Sequence, residues 1–338
     1  MPGRAPGLIA GFCNSLISSM DRPKFSVILP NYNHGHYLPI CLQSIVDQSL
    51  PADEIVVVDD ASTDNSVEVI KSFAAKCPAI RFYQNERNMG VNYTINRLFS
   101  LVTGDLVFGP ASDDHVLPGF FEKSVKLLLQ HPQAAMSCTI GDWHEAATGW
   151  NWQVGVEMGD QPCYLSPRRL VELERQTKLH IPSHTVIMRR KLIPPYPAEL
   201  RWHCDWFALT SAAYRHGICF VPEPLAWFNI HQTSFYNAGR KKPEHTEVMH
   251  NILRRLHLPE NQDLLPLLRE GAALYHFGWP MLQAIRSQPE WRHLLTPLML
   301  RKCVWHAIKL KGKQVMPRFA ANWYFQLAGY RSKPAVGQ

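Results

Sequence analysis

Short hydrophobic runs alternate with longer stretches that carry apolar residues at helical spacing over the first 140 residues of this chain. The runs at 25–29, 54–58, 80–84, 105–108 and 134–138 predict strands, the first closed by Pro30. The stretches at about 37–46, 65–76 and 91–102, and a fourth from about Pro118, predict helices. Strands separated by helices of this length indicate an α/β fold with a mostly parallel sheet and helices on both faces.

The pattern changes after residue 140. Frequent Trp, Gly and Pro over 142–167 predict irregular structure, and a second ordered block follows at about 183–228. Beyond Lys242 the chain is predicted to be helical, with breaks at Pro259, Pro280, Pro297 and Pro317. We therefore predict an N-terminal extension (1–22), an α/β domain (23–240) divided at about residue 140, and a C-terminal helical module (241–338).

Composition places the chain among ordinary globular proteins, because 46% of its 338 residues are hydrophobic and 19% are charged. No apolar run is long enough for a transmembrane helix. The first twenty residues are interrupted by Gly, Asn and Ser, which predicts a flexible extension rather than a signal peptide. The eight cysteines form no C-x-x-C pair, so a metal–thiolate site is not expected, and a reducing, cytoplasmic location fits them best.

Positive charge is concentrated near the C-terminus. The net charge is +7, and the segment from Trp291 to the end holds nine basic residues and no acidic one. Basic and aromatic residues together are typical of a segment that binds the anionic inner face of a membrane. A helical cap that packs on the preceding domain is an equally good interpretation. Nucleic acid is not expected, since no recognition motif accompanies the charge.

Two acidic clusters each follow a predicted strand. Asp59 and Asp60 begin the first cluster, and Ser112-Asp113-Asp114 forms the second. Adjacent carboxylates repel each other unless a cation or a hydrogen-bond donor compensates. Ligands of open α/β sheets bind at the carboxyl ends of the strands. The two clusters therefore predict a nucleotide and a divalent metal at this edge of the sheet.

An ordered set of short motifs resembles a known family. In chain order the set contains residues 25–33 with Tyr37-Leu38, 57–64, Asn88-Met89-Gly90, Ser112-Asp113-Asp114 with Pro118, Cys204-Asp205-Trp206, 221–225, and His231 with Ser234. Over about 210 residues this order and spacing resemble the nucleotide-sugar-dependent glycosyltransferases of family 2, which have the GT-A fold. The resemblance implies an inverting, metal-dependent transfer of a sugar to a hydroxyl of a glycan or lipid-linked acceptor, in cell-surface polysaccharide synthesis.

The resemblance also implies roles for residues near the donor. Asp60 would bind the nucleotide base, with UDP favoured, and Asp113 the ribose. Asp114 would hold Mn²⁺ or Mg²⁺, with His231 as a further metal contact. Other residues of the nucleotide site would be Pro30 and Tyr32, which pack on the base, and Asn33, Asp59, Asn88 and Gly90.

Asp205 would be the catalytic base, in an aromatic setting that raises a carboxyl pKa. Weaker candidates for acceptor or diphosphate contacts are Trp202, Trp206, His184, Ser234 and Arg240. Three positions depart from the pattern of many relatives: Ser112 and Cys204 stand where an acidic residue is usual, and Ile95 stands where an arginine is usual.

Simpler interpretations stay open at each position. Residues 59–64 form a plausible turn and helix cap, Asp205 a plausible N-cap, and a lone histidine such as His231 is often structural. The alternative functions are a sugar-phosphate nucleotidyltransferase and an inactive glycan-binding module. The first would show a Gly-rich, basic phosphate loop after the first strand, where this chain has Asn31-Tyr32-Asn33-His34-Gly35.

Overall fold

The computed structural model describes residues 22–145, 149–231 and 244–315. The predicted extension, except Arg22, and the candidates Ser234 and Arg240 lie outside the described residues, as does Pro317. The strands are β1 (Phe25–Asn31), β2 (Glu54–Asp59), β3 (Ile80–Gln84), β4 (Leu106–Phe108), β5 (His115–Val116), β6 (Met136–Glu145), β7 (Trp150–Val154), β8 (Cys163–Leu165), β9 (Ile187–Arg189) and β10 (Ile218–Ile230).

Helices alternate with these strands and then continue alone. They are α1 (Leu38–Val46), α2 (Ser66–Ala74), α3 (Val91–Leu101), α4 (Phe120–Gln130), α5 (Pro167–Gln176), α6 (Cys204–His216), α7 (His245–Leu256), α8 (Leu264–Gly271), α9 (Gly278–Ser287) and α10 (Pro297–Val315). Short 3₁₀ segments include Ser183–Thr185, Ala198–His203 and Ala273–Phe277.

A single mixed sheet organises the described residues, in the order β3-β2-β1-β4-β9-β6-β10-β5, with β7 on β6 and β8 on β10. The strands β3, β2, β1 and β4 run parallel, and so do β6 and β10. The pairs that join β9 to β4 and β6 are antiparallel. The mostly parallel α/β sheet predicted from the alternating pattern is therefore confirmed.

Alternate residues of each central strand enter two hydrophobic cores, one on each face of the sheet. Val27 and Leu29 pack with helices α1 and α4 on one face, and Ile28 packs with α3 and the later helices on the other. This period of two follows from the pleat of a strand buried on both sides. Helices therefore cover both faces, as predicted.

Three local predictions were wrong. β1 does not end at Pro30 but continues to Asn31. Because β4 pairs with β1 only at 25–27, the missing N–H of Pro30 removes no hydrogen bond between β1 and β4. β6 continues from the predicted strand to Glu145, and β7 pairs with it, where irregular structure was expected. Pro280 lies in the first turn of α9, where a proline costs no hydrogen bond, and is no break.

The C-terminal helices pack on the sheet domain through a buried ionic cluster. Glu174 of α5 is 2% exposed, and its carboxylate contacts His276 Nε2 at 3.0 Å and Lys302 Nζ at 3.5 Å. Burial lowers the pKa of Lys302, against the attraction of Glu174. The helices α7 to α10 also contribute side chains to the same core as β6 and α6. The described part of the C-terminal module therefore packs on the domain before it.

None of the helices in the described ranges combines the length and the apolar character that a membrane span requires.

Gly217, between α6 and β10, provides a test of this packing. Its φ of +72° and ψ of 178° suit glycine alone, and a Cβ there would lie 2.5 Å from the Leu165 backbone oxygen. We expect Gly217→Ala to lower the free energy of unfolding by about 3 kcal/mol.

Gly149→Ala is the matched control. Its φ is +69° but no atom lies within 4 Å of the added Cβ, so we expect a loss of only about 1 kcal/mol. Urea denaturation measures both values. Equal losses for the two variants would show that the contact between Gly217 and β8 does not contribute to the free energy of unfolding.

Candidate functional site

Asp59, at the end of β2, is an internal hydrogen-bond acceptor. Its carboxylate is fully buried and accepts bonds from Asn31 Nδ2 at 2.8 Å, the Ser62 N–H at 2.9 Å and Gln84 Nε2 at 3.2 Å. The Ser62 hydroxyl donates a fourth bond at 2.5 Å. These four donors occupy the usual lone-pair sites of a carboxylate. Asp59 therefore stabilises the ends of β1, β2 and β3 relative to one another.

Asp60 organises the Asn-Met-Gly turn. It is 3% exposed, and its Oδ1 accepts bonds from Asn85 Nδ2 at 2.6 Å and the Met89 N–H at 2.8 Å. Its Oδ2 accepts one bond, from the Gly90 N–H at 2.8 Å. Among the described residues no second donor reaches Oδ2, which leaves one of its lone-pair sites for a ligand donor. Gly90 precedes α3, so Asp60 also determines where that helix begins.

The loop after β1 connects the first acidic cluster to α1. The Asn33 N–H donates to Ser62 Oγ, and the Thr63 N–H donates to Asn33 Oδ1, both at 2.8 Å. The Gly35 N–H donates to Asp64 Oδ2 at 2.8 Å. A Cβ at Gly35 would lie 2.1 Å from Asn65 Oδ1, so any larger residue would displace the Asn65 side chain.

The second acidic cluster meets two histidines. Asp113 Oδ2 lies 2.8 Å from His231 Nε2 at the end of β10. His34, from the loop after β1, contacts Ser112 Oγ through Nδ1 at 2.8 Å. Ligand atoms of His34, Asp113 and His231 all lie within 4.8 Å of one another, a group that could hold a metal ion. Burial lowers the pKa of His34, against the attraction of Asp113, and favours the neutral ring that metals bind.

Asp114 lies beside this group in a different environment. Its Oδ1 accepts the Asn229 N–H at 2.9 Å, whereas its Oδ2 is buried without a partner among the described residues. Burial, together with the charge of Asp113, raises the pKa of Asp114 well above its usual range. An unpaired buried carboxylate oxygen is costly, and a nearby cation would reverse that cost.

Aromatic rings enclose the histidine side of the site. Tyr37 stacks on His231 with 5.4 Å between ring centroids, and both rings meet His34 edge-on at 5.9 Å. Tyr32, by contrast, is 42% exposed at the end of β1. The site thus has a rigid wall next to the carboxylates and an accessible aromatic ring next to Pro30.

Asp205 lies in the first turn of α6, whose N-cap is His203, so the N-cap interpretation was wrong. Its Oδ1 accepts the Trp206 N–H at 2.7 Å. Burial raises the pKa of Asp205, although hydrogen bonds from Trp206 and Ser183 oppose the shift. A carboxylate with a raised pKa is suited to removing a proton near neutral pH.

Helix α3 connects the first acidic cluster to Asp205. Asn92, two residues after Gly90, donates through Nδ2 to the Arg201 backbone oxygen at 3.0 Å. The Cys204 thiol, next to Asp205, lies 3.1 Å from Asn92 Oδ1. Arg201 has a φ of +49°, a costly conformation for a non-glycine residue. Asn92 therefore holds a strained turn directly before the helix that carries Asp205.

Comparison with known proteins identifies the family. The sequence model described as "Glycosyl transferase family 2" matches residues 26–194. The chain belongs to glycosyl transferase family 2. An uncharacterized glycosyltransferase of Escherichia coli, YibD, is 35% identical over 130 residues, which are 38% of this chain and 37% of YibD. The matched segment thus spans little more than a third of that relative.

Solved structures share the fold of this family 2 chain. The Staphylococcus aureus protein TarS (1–349), solved with UDP-GlcNAc, has a TM-score of 0.60 at 20% identity, over 82% of this chain and 79% of TarS. The mannosyltransferase PcManGT of Pyrobaculum calidifontis, solved with GDP-Man and Mn²⁺, has a TM-score of 0.55 at 18% identity, over 89% and 83% of the two chains. These likenesses confirm the predicted GT-A fold.

Several weaker candidates of the family 2 resemblance contact other parts of the protein. Trp206 meets Phe277 edge-on at 4.6 Å, and Trp202 stacks on His245 at 6.0 Å, so both pack toward the C-terminal helices. His184 is 5% exposed among Trp143 and Phe228, and burial lowers its pKa to about 3. Asn88 is exposed and accepts the Gly90 N–H.

Arg97 and Asp64 stabilise the turns around the first acidic cluster. Arg97 donates to the Gln84 backbone oxygen at 3.1 Å and also contacts Asn85 Oδ1, so it braces the turn that Asp60 binds. Asp64 Oδ1 accepts the Ser66 N–H at 3.0 Å at the start of α2, whose N-cap residue is Asn65.

Sequence reasoning missed three residues of the site: His34, Asn92 and Asn229. His34 had a usable signal, since it lies in the loop after a strand end, as the acidic clusters do. Asn92 and Asn229 had none, because their contacts are with residues more than a hundred positions away.

Asp59→Asn tests the structural role of Asp59. The amide would turn an NH₂ group toward donors such as Asn31 and Ser62, so we expect the free energy of unfolding to fall by about 2–3 kcal/mol. Asp47→Asn is the control, since Asp47 is exposed and accepts one bond from its helix neighbour Gln43. Urea denaturation measures both variants; a loss at Asp59 no larger than at Asp47 would contradict the assignment.

Proposed function

We propose that this protein transfers a sugar, with inversion, from a nucleoside-diphosphate sugar to a hydroxyl of a glycan or lipid-linked acceptor. The proposal rests on one observation. The group of His34, Asp113 and His231 lies at the same edge of the sheet as Asp60. The diphosphate of the donor needs positive charge at this edge of the sheet, and its nucleotide base needs a hydrogen-bond acceptor beside it. Membership of family 2 supports sugar transfer over nucleotidyl transfer.

For the nucleotide, we assign the base to the pocket between Asp60 and the wall of Pro30 and Tyr32. The open lone pair of Asp60 Oδ2 suits an imide N–H, which favours a uracil base. TarS, solved with UDP-GlcNAc, supports this assignment, whereas PcManGT, solved with GDP-Man, shows that the fold accepts another base. Asn33, Asp59, Asn88 and Gly90 then act by shaping the pocket, since each is bonded within the loops around it.

For the metal, we propose that Asp113, His34 and His231 are the ligands and that Asp114 adds charge beside them. The sequence interpretation assigned Asp113 to the ribose and Asp114 and His231 to the metal. Two observations favour the revision: the grouping of the three ligand atoms and the lowered pKa of His34. The unpaired oxygen of Asp114 supports its place beside the cation. Imidazole ligands favour Mn²⁺ over Mg²⁺. A bound cation neutralises the charge that develops on the leaving diphosphate.

For the chemistry, we propose Asp205 as the base. The acceptor oxygen forms a bond to C1 of the donor sugar as the bond from C1 to the diphosphate oxygen breaks, and Asp205 takes the acceptor proton. Its raised pKa and its place at the start of α6 support this role. Ser183 donates to Asp205 and would orient its carboxylate toward the acceptor.

For the cellular setting, we propose that the acceptor is presented at an anionic membrane surface, in the synthesis of a cell-surface polysaccharide. The positive charge of the C-terminal segment, with nine basic and no acidic residues from Trp291 onward, supports this setting.

Substitution of the metal ligands tests the revised assignment. We expect His34→Ala and Asp113→Asn each to weaken Mn²⁺ binding by at least about tenfold, because each removes one ligand. His36→Ala is the matched control, since His36 lies on the same loop and outside the group. Electron paramagnetic resonance of free Mn²⁺ measures the affinities without turnover. Wild-type affinity in both ligand variants would contradict the assignment.

Asp205→Asn separates chemistry from binding. We expect the rate of sugar transfer to fall by about 10²–10⁴-fold while UDP binding stays unchanged. Asp205 acts when deprotonated, and burial raises its pKa. The wild-type transfer rate should therefore fall as the pH decreases, with a midpoint above the ordinary pKa of an aspartate. Glu199→Gln changes an exposed carboxylate just before α6. It should change neither the transfer rate nor UDP binding. Full turnover by Asp205→Asn would show that another group is the base, and no transfer by the wild type would support an inactive module.

A further inference from the structure

A short turn, residues 201–204, lies directly before the proposed base and is strained at its first residue. Arg201 has a φ of +49° and a ψ of −115°, a combination that glycine adopts readily and that is costly for a residue with a Cβ. The Cys204 N–H donates to the Arg201 backbone oxygen and closes the turn at the start of α6. Because Asp205 is the next residue, the direction of its carboxylate depends on how this turn is held.

Asn92 of α3 contacts both ends of the turn. Its Nδ2 donates to the Arg201 backbone oxygen at 3.0 Å, and its Oδ1 lies 3.1 Å from the Cys204 thiol. An amide offers a donor and an acceptor at once, which a carboxylate or an aliphatic side chain does not. Cys204 is only 4% exposed, so Asn92 reaches past the surface to the first residue of α6.

The remaining contacts of the turn do not account for its conformation. The Arg201 guanidinium lies 2.8 Å from Glu244, which directly precedes α7, but both side chains are exposed and such an ion pair contributes little. The bond from the Trp206 N–H to Asp205 Oδ1 holds the carboxylate only relative to α6 itself. Of the side chains that the structure describes, Asn92 provides the hydrogen bond to the Arg201 backbone.

We propose that Asn92 is a positioning residue for sugar transfer. By holding Arg201 in its strained conformation, Asn92 fixes the place of Cys204 and therefore the direction of the Asp205 carboxylate. The proposal rests on the proposed role of Asp205 as the base, through which Asn92 acts without touching the reacting atoms. A displacement of about 1 Å at a reacting group can slow a reaction by about 10²-fold. Loss of Asn92 should therefore lower kcat and leave donor binding unchanged.

Asn92→Ala tests this role, with Asn96→Ala as the matched control. Asn96, one turn later in α3, donates to the Tyr196 backbone oxygen at 3.1 Å, a bond of the same kind outside the strained turn. The assay is release of nucleoside diphosphate, with Mn²⁺ present, from UDP-GlcNAc or GDP-Man, whichever the wild type consumes faster. Water takes the place of the acceptor hydroxyl and gives its proton to Asp205.

We expect Asn92→Ala to lower kcat by at least about tenfold, with the KM of the donor and the affinity for the free nucleoside diphosphate within about twofold of wild type. Asn96→Ala should become as sensitive to urea as Asn92→Ala and keep the wild-type kcat. This split between rate and binding separates positioning from a general loss of structure.

A glycine at position 201 provides a sharper test. Glycine adopts the φ and ψ of this turn without strain, so N92A/R201G should return to within about threefold of the kcat of Arg201→Gly alone. N92A/R201A loses the same ion pair to Glu244 but keeps the strain, so its kcat should stay at least about tenfold below that of Arg201→Ala alone.

Hydrogen exchange over residues 201–206 follows the turn without turnover. We expect at least about tenfold faster exchange in Asn92→Ala than in the wild type. The same comparison of double with single variants should show recovery with glycine at position 201 and none with alanine.

Three results would overturn the proposal. The first is a wild-type kcat in Asn92→Ala. The second is a kcat in Asn96→Ala as low as that in Asn92→Ala, which would show that any loosening of α3 has the same effect. The third is equal recovery by N92A/R201G and N92A/R201A. No release by the wild type from either nucleotide sugar would instead contradict the proposed function, since hydrogen exchange still measures the hold of Asn92 on the turn.

Discussion

The site depends on hydrogen bonds that one loop, between β1 and α1, makes to both acidic clusters. Asn31, the last residue of β1, donates to Asp59, and Asn33 of the loop accepts the Thr63 N–H. His34 of the same loop contacts Ser112 and lies close to Asp113 in the second cluster. The clusters follow β2 and β4, which flank β1 in the sheet, and carboxylates buried there without partners would be costly. Asn31 and the loop after it provide hydrogen-bond donors to Asp59 and Asp64, so the first cluster can be buried beside the second.

The start of α3 connects the proposed donor site to the proposed base. Asp60 holds Gly90 at the start of α3, and Asn92, two residues later, holds the strained Arg201 segment before α6. The first turn of α3 therefore joins the proposed base-binding residue, Asp60, to the segment that positions Asp205. The C-terminal helices complete this arrangement from the other side, since Trp202 and Trp206 pack against them and Glu174 binds Lys302.

Much of this organisation could be predicted from the sequence, because strands and helices alternate locally and strand ends collect ligands by geometry. The sheet and the acidic strand ends followed from that alternation. The contacts of His34, Asn92 and Asn229 could not be predicted, because they join residues far apart in sequence whose side-chain directions depend on packing. The inward position of Lys302 could not be predicted either, because it depends on the buried Glu174, which is 128 residues earlier in the chain.

The central claim is that one cation site is shared by the loop after β1, the loop after β4 and the end of β10. Anomalous X-ray diffraction at the manganese edge, from crystals grown with Mn²⁺ and UDP, tests it most directly. We predict one strong peak within bonding distance of His34, Asp113 and His231, with the diphosphate beside it. A peak bound by Asp114 without His34, or UDP bound at Asp60 with no manganese near Asp113, would contradict the claim.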